Sequence, residues 1–283
     1  MSFPFRKYKK DDLMNDYNSL KNKLLTDLNQ KINTKLKYSR VGCKSSNRFF
    51  QYERMKTPSQ GKISCYKYWS KNKKKIIDYA NNSDKKSNDL FAFISFLNHP
   101  PAQFLPYIAG QVYLYFNAKK IFDPYCGWGD RCIAAMSLNI DYIGIDSNEN
   151  LKPAYDKMIN YYPCNSNIEI IYDKCENINL FDIDFDFILT SPPYWNEKKK
   201  ILEEYSDCEL DYDKFLNNSL LPLIINSKKK NKDMWVCINI PTFMYNDIKK
   251  RIGKCRKILK FSTNLNNKSI NHGDRKTNSI FCF

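Results

Sequence analysis

Thr190-Ser191-Pro192-Pro193-Tyr194-Trp195 concentrates more chemistry than any other stretch of the chain. Two consecutive prolines fix φ twice and delete two backbone donors, so the loop is stiff and presents carbonyl oxygens. The Ser191 hydroxyl and the Pro192 carbonyl are two acceptors side by side. Such a pair suits an amine whose lone pair is delocalised into a ring. By binding its hydrogens they favour the pyramidal, nucleophilic nitrogen as positive charge develops. Holding that nitrogen against an electrophilic carbon supplies much of the remaining rate through proximity. Tyr194 can stack on a base, an interaction worth about 1–3 kcal/mol on single-strand platforms. A base reached inside a duplex would first have to be flipped out. The competing reading of Pro-Pro-Tyr-Trp is a rigid turn or a proline-rich ligand. Its place directly after a buried strand disfavours that reading.

Upstream, Asp123-Pro124-Tyr125-Cys126-Gly127-Trp128-Gly129-Asp130 follows a short apolar run and opens a helix. Gly127 and Gly129 allow a tight turn and a close ligand approach. The full G-x-G-x-x-G is lacking, so phosphate at the helix start is less favoured. Asp146 closes the next apolar run, where a carboxylate can accept from two ribose hydroxyls. Asp173 closes the third and is a candidate to face an adenine amino group.

These residues need a sheet edge to bring them together. Ile121–Asp123, Tyr142–Asp146, Ile168–Tyr172, Phe185–Leu189 and Met234–Ile238 read as strands, with helices around 131–138, 149–161 and 212–226. Ile258–Phe261 and Ile280–Phe283 read as a terminal pair. Strands alternating with helices imply a doubly wound, mostly parallel α/β sheet of seven strands, with ligands beyond the carboxyl ends.

Residues 1–95 have another texture, basic and rich in tyrosine, and are set apart as an N-terminal appendage to a catalytic domain at 96–283. Within them Leu13, Tyr17, Leu20, Leu24 and Leu28 recur at helical spacing and predict a packing face. The net charge of +16 suits a polyanionic partner, although a Lys-, Asn- and Ile-heavy composition produces such charge by itself. Ten cysteines without a C-x-x-C pair and only two histidines, His99 and His272, argue against a metal site and for reduced thiols. Without an apolar run of membrane-spanning length or a signal core, a soluble cytoplasmic protein is expected.

In these motifs the chain resembles the S-adenosylmethionine-dependent amino-methyltransferases of DNA. Asp123 to Gly129 resembles the family's Asp-Pro-Phe-x-Gly-Ser-Gly cofactor motif. Thr190 to Trp195 resembles its catalytic motif in the Ser-Pro-Pro-Tyr form associated with N4-cytosine methylation. Asn98 to Pro106 is similar to the His-Pro-Ala-x-Phe segment at the cofactor's methionine end, which brings in Phe104. The resemblance covers residues 98–283 and implies a class I methyltransferase, Rossmann-like fold. It also implies S-adenosylmethionine as cofactor, with Phe104, Asp123, Tyr125, Gly127, Gly129, Asp146 and Asp173 at its site and Ser191, Pro192, Pro193 and Tyr194 as the catalytic set. Duplex DNA with a flipped base would be the partner, as in restriction-modification. N6-adenine, RNA, and a catalytically silent nucleic-acid-binding relative are the alternatives. Trp128, Asp130 and Arg131 depart from the family's small residues. The chain between and after the motifs leaves little room for a recognition domain. The N-terminal region, with Arg40, Arg48, Arg54 and Lys56 among Phe49, Phe50 and Tyr52, is therefore the candidate for DNA contact. Trp195 and the Lys198-Lys199-Lys200 run beside the catalytic loop are further candidates.

Overall fold

Alternation along the short apolar runs decides the architecture, because successive side chains of a strand face opposite sides of its sheet. A computed structural model of the chain describes residues 2–28, 34–59, 61–82, 90–196, 201–202, 211–262 and 277–283. Its strands are β1 (Lys120–Asp123), β2 (Asp141–Ile145), β3 (Ile168–Ile171), β4 (Phe187–Thr190), β5 (Trp195–Asn196), β6 (Ile201–Leu202), β7 (Trp235–Asn239), β8 (Lys257–Ser262) and β9 (Thr277–Cys282). Seven form one sheet in the order β3-β2-β1-β4-β7-β9-β8, and β5 pairs with β6 as a separate antiparallel ribbon. Neighbours from β3 to β7 are parallel, while β9 runs antiparallel to both β7 and β8. This is the doubly wound, Rossmann-like sheet expected from the sequence, with the terminal pair closing it.

The helices are α1 (Lys10–Leu28), α2 (Cys43–Lys56), α3 (Cys65–Asn82), α4 (Leu90–Asn98), α5 (Pro106–Tyr115), α6 (Asp130–Leu138), α7 (Lys152–Tyr161), α8 (Tyr212–Phe215), α9 (Leu221–Lys230) and α10 (Thr242–Ile252). Ile121, Tyr142, Phe187, Leu189 and Cys237 meet α1, α2, α5, α6 and α7 on one face. Their strand neighbours Phe122, Ile143, Ile188, Val236 and Ile238 meet α8, α9 and α10 on the other. No helix among the described residues is long and apolar enough to cross a membrane. Every cysteine among them is a free thiol.

The change of texture near residue 95 is not matched by a break in packing. Leu13, Tyr17, Leu20 and Leu24 are buried in the same cluster as the sheet residues, so the α1 stripe is a packing face. A Cβ on Gly110 of α5 would lie 2.4 Å from Leu24, a measure of how closely these two helices cross. Asp16 of α1 accepts from the backbone N–H groups of Gly42, Lys44 and Ser45, each at 3.0 Å. One carboxylate thereby serves the first turn of α2, whose own N-cap residue is a glycine without a side-chain acceptor. Further along, Leu36 donates to the Lys260 carbonyl and Lys260 to that of Thr34, both at 2.8 Å, laying the N-terminal segment along β8. A third cluster, around Phe3, Met55, Trp69, Phe91 and Ile94, joins α2 to α3 and α4.

Leu20→Ala should therefore lower stability by about 2–5 kcal/mol, as in a sheet-facing core position. Chemical denaturation should show one transition shifted whole; an unshifted main transition would place α1 outside the cooperative unit.

Candidate active site

The carboxyl ends of β1, β2, β4 and β7 open onto a cavity of about 260 Å³. What fixes its floor is Asp123, the last residue of β1, which has no solvent exposure. Its Oδ2 accepts from Arg131 Nε of α6 and from the Tyr142 hydroxyl of β2, both at 2.6 Å. Its Oδ1 accepts from Thr190 Oγ1 at the end of β4, at 2.7 Å. Burial alone pulls the Arg131 guanidinium down, but the adjoining Asp123 carboxylate more than restores it, and the net shift is upward. The same guanidinium donates to the Tyr125 carbonyl and so holds the glycine turn.

In that turn Gly127 and Gly129 have φ of 59° and 72°, a region that favours glycine. Their reasons then diverge. A Cβ on Gly129 would lie 2.4 Å from the Phe50 ring. A Cβ on Gly127 would approach nothing nearer than the Tyr125 carbonyl at 3.9 Å and would project into open space beside the cavity. Gly127 N–H donates to Asp146 Oδ2 at 2.9 Å, and Asn148 N–H to Oδ1 at 3.0 Å. Each oxygen keeps a further lone pair. Burial raises the Asp146 carboxyl to about 6 despite those two N–H groups.

At the other end of the cavity Ser191, Pro192, Pro193 and Tyr194 form the wall. The Ser191 and Tyr194 hydroxyls are 3.0 Å apart, and the Tyr194 hydroxyl donates to Asn239 Oδ1 at 2.6 Å. Asn239 ends β7 and donates its amide to the Ser279 carbonyl at 2.9 Å. Between the two ends lie Gln103 and Asp130, with Gln103 Nε2 donating to Asp130 Oδ1 at 3.1 Å. Ser46 of α2 donates to the same oxygen. Burial pushes the Asp130 carboxyl up to about 7, against the lowering influence of Ser46, Arg54 and Arg131.

Of the residues singled out from the sequence, Phe104, Tyr125, Gly127, Asp146, Asp173, Ser191, Pro192, Pro193 and Tyr194 line this one cavity. Others lie elsewhere. Asp123 and Gly129 are not part of the lining: the first is fully buried with three donors on its carboxylate, and the second packs against Phe50. Arg54 is buried, donating to the Pro101 carbonyl and to Asn47, so its guanidinium does not face a phosphate. Phe50 is likewise core. Trp195 lies outside the cavity lining, stacked on Tyr212 at a centroid distance of 5.3 Å. Arg48 is exposed, in a separate groove between α2 and α7. Lys198 and His272 lie outside the described residues. His99 is exposed and is not part of the lining. The ammonium groups of Lys228 and Lys230 cap the carbonyls of Met234, Leu180 and Ile183.

Sequence reasoning missed Asn239, Gln103 and Ser46. Asn239 carried one faint signal, its place at the end of an apolar strand that pairs with β4. Among the described residues the lining inverts the chain's overall charge: Asp130, Asp146, Asp173 and Glu176 face it, with Arg131, paired with Asp123, and Lys174 as the cations.

No protein-family model and no curated protein sequence matches the chain. Solved structures similar to it include the tRNA (uracil-54, C5)-methyltransferase of Pyrococcus abyssi in complex with S-adenosyl-L-homocysteine, 15% identical with a TM-score of 0.37. That match covers 58% of this chain, which spans only 34% of the longer protein. A Listeria monocytogenes protein assigned to the class I S-adenosylmethionine-dependent methyltransferases is 12% identical with a TM-score of 0.41, covering 96% of this chain and 87% of that one. The plantazolicin methyltransferase BpumL, in complex with S-adenosyl-L-homocysteine, is 13% identical with a TM-score of 0.32, covering 83% and 67%. At scores this low, nothing about this chain's site follows from them.

Removing the Asp123 charge leaves the buried Arg131 uncompensated. Asp123→Asn should cost about 3–5 kcal/mol, and Thr190→Val, which deletes one hydrogen bond to a charged group, about 1.5–3 kcal/mol. Denaturant titration of the two variants should rank them in that order.

Proposed function

We propose that the chain is an S-adenosylmethionine-dependent methyltransferase that modifies an exocyclic amine of a nucleic-acid base, N4 of cytosine in DNA. One observation carries the reading. The Gly127–Asp146 turn and the Ser191-Pro192-Pro193-Tyr194 loop face each other across one cavity at the carboxyl ends of adjacent strands.

The residues present fit such a cofactor. Gly127 leaves open the space its missing Cβ would fill, and Asp146 has an unused lone pair on each oxygen for a ribose diol. Asp173 stands at the next strand end for the adenine amine, with Phe104 and Gln103 at the methionine end. The carboxylates along the lining suit a ligand that carries positive charge. When bound, S-adenosylmethionine supplies an electrophilic methyl group. The chain's own part is to hold the acceptor nitrogen. Ser191 Oγ and the Pro192 carbonyl accept its hydrogens, favouring the pyramidal geometry, and the amine needs no general base until its charge has formed. Tyr194, pinned through its hydroxyl, offers a fixed ring for stacking. The lean to cytosine rests on Ser191 and the Ser-Pro-Pro-Tyr resemblance. Arg48, Trp195 and Lys198 remain candidates for contact with the strand, and the net charge of +16 suits duplex DNA with its target base flipped out.

The decisive measurement is product identity. DNA of mixed sequence, incubated with the protein and S-adenosylmethionine and digested to nucleosides, should yield N4-methylcytosine by mass spectrometry. N6-methyladenine alone would overturn the base assignment; no methylated nucleoside from DNA or RNA would overturn the reading.

Asp146 gives a second test. Only its ionised form accepts on both oxygens, and its carboxyl titrates near 6. Calorimetric affinity for S-adenosylmethionine should fall below about pH 6 as Asp146 is protonated, by up to roughly tenfold per pH unit. Asp146→Asn should bind weakly at every pH and lose that step.

A further inference from the structure

The hydrogen bonds behind the catalytic loop have a direction. Asn239 donates its amide to the Ser279 carbonyl, which turns Oδ1 toward Tyr194. Tyr194 has one hydroxyl proton and gives it to that oxygen. The 3.0 Å contact between the two hydroxyls is then made by the Ser191 proton. With its proton engaged, Ser191 Oγ has only lone pairs left to offer. Pro192 and Pro193 carry no N–H. The serine hydroxyl and both prolines thus present acceptors and no donor.

We infer that Asn239 is a positioning residue which, through Tyr194, fixes Ser191 as an acceptor and so selects bases bearing an amine over those with a carbonyl at the same position. A serine hydroxyl left to itself rotates and can donate or accept. It would then greet cytosine N4 and uracil O4 about equally. Held by Tyr194, it meets an amine with a lone pair and a carbonyl with lone pair against lone pair. A site committed to one hydrogen-bonding sense rejects the wrong partner far better than one relying on shape. The inference rests on the amine-methylating reading above and adds to it the source of the selectivity.

The test is a double-mutant cycle of Asn239→Leu, Tyr194→Phe and the pair. For each protein, kcat, the cofactor KM, and competition by the same DNA with deoxyuridine in place of deoxycytidine are measured. Each single variant should lose roughly 10- to 100-fold in kcat, keep its cofactor KM within about twofold, and be inhibited by the deoxyuridine DNA at least about tenfold more strongly than wild type. The double variant should be no worse than the poorer single, because both changes cut one chain. Tyr194→Phe, which is nearly isosteric, carries the test if Asn239→Leu fails to fold. Full kcat and discrimination in the singles, losses that add in the double, or a parallel rise in cofactor KM would overturn the inference while wild-type transfer stands. A wild-type protein that transfers no methyl group would overturn the functional reading, and the inference with it.

Discussion

Asp123 is a carboxylate without solvent, and the donors that hold it come from three elements other than its own. Arg131 ties it to α6, Tyr142 to β2 and Thr190 to β4. Thr190 is the residue before the Ser191–Tyr194 loop, and Arg131 also holds the carbonyl of Tyr125 in the glycine turn. The two walls of the cavity are therefore hung from one anion. A buried ion pair of this kind is weak evidence for net stability, since desolvation offsets much of the attraction. What it supplies is geometry. Moving either wall breaks a charged hydrogen bond in a place where water cannot replace it.

A second buried carboxylate, Asp130, connects the site to the N-terminal helices. Ser46 of α2 and Gln103 of the loop before α5 both donate to it, and Arg54 of α2 lies close enough to lower its pKa. Asp16 in turn fixes the start of α2 from α1. A chain of polar contacts thus runs from the first helix to the cavity, and α1 and α2 are part of how the site is built. This matters for the nucleic-acid question. Arg54 and Phe50 are spent on architecture, which leaves Arg40, Arg48, Tyr52 and Lys56 as the outward-facing members of that sequence cluster.

Much of this was legible in the sequence, and the boundary of legibility has a physical cause. All seven sheet strands and the α1 stripe could be read because period-2 and helical patterns are local properties of the chain. The residues lining the cavity could be read because strand-end loops of a doubly wound sheet converge on one edge. Asp123, Gly129 and Arg54 fall outside the lining for a different reason. Their residue types suit ligand contact and interior anchoring equally, and only the third dimension shows which partner is nearer. Asn239 and Ser46 were missed because each matters through a residue far away in sequence, a relation that spacing does not encode. Near residue 95 the composition changes while the hydrophobic cluster runs on, because packing follows side-chain burial and not the texture of the sequence.

The pairing of Thr34 to Leu36 along Lys260 bears on how the molecule behaves in company. β8 is the last strand of the sheet, and a bare last strand offers its backbone to any extended chain that drifts past. Here part of that backbone is already engaged by the protein's own N-terminal segment. The opposite border, β3, carries an exposed Glu169, a charge that discourages apposition of a second strand. Shortening the chain from its N-terminus past residue 36 would do more than uncover the helical layer. It would bare a ready template for intermolecular strand addition, and self-association into aggregates would be the natural failure of such a fragment.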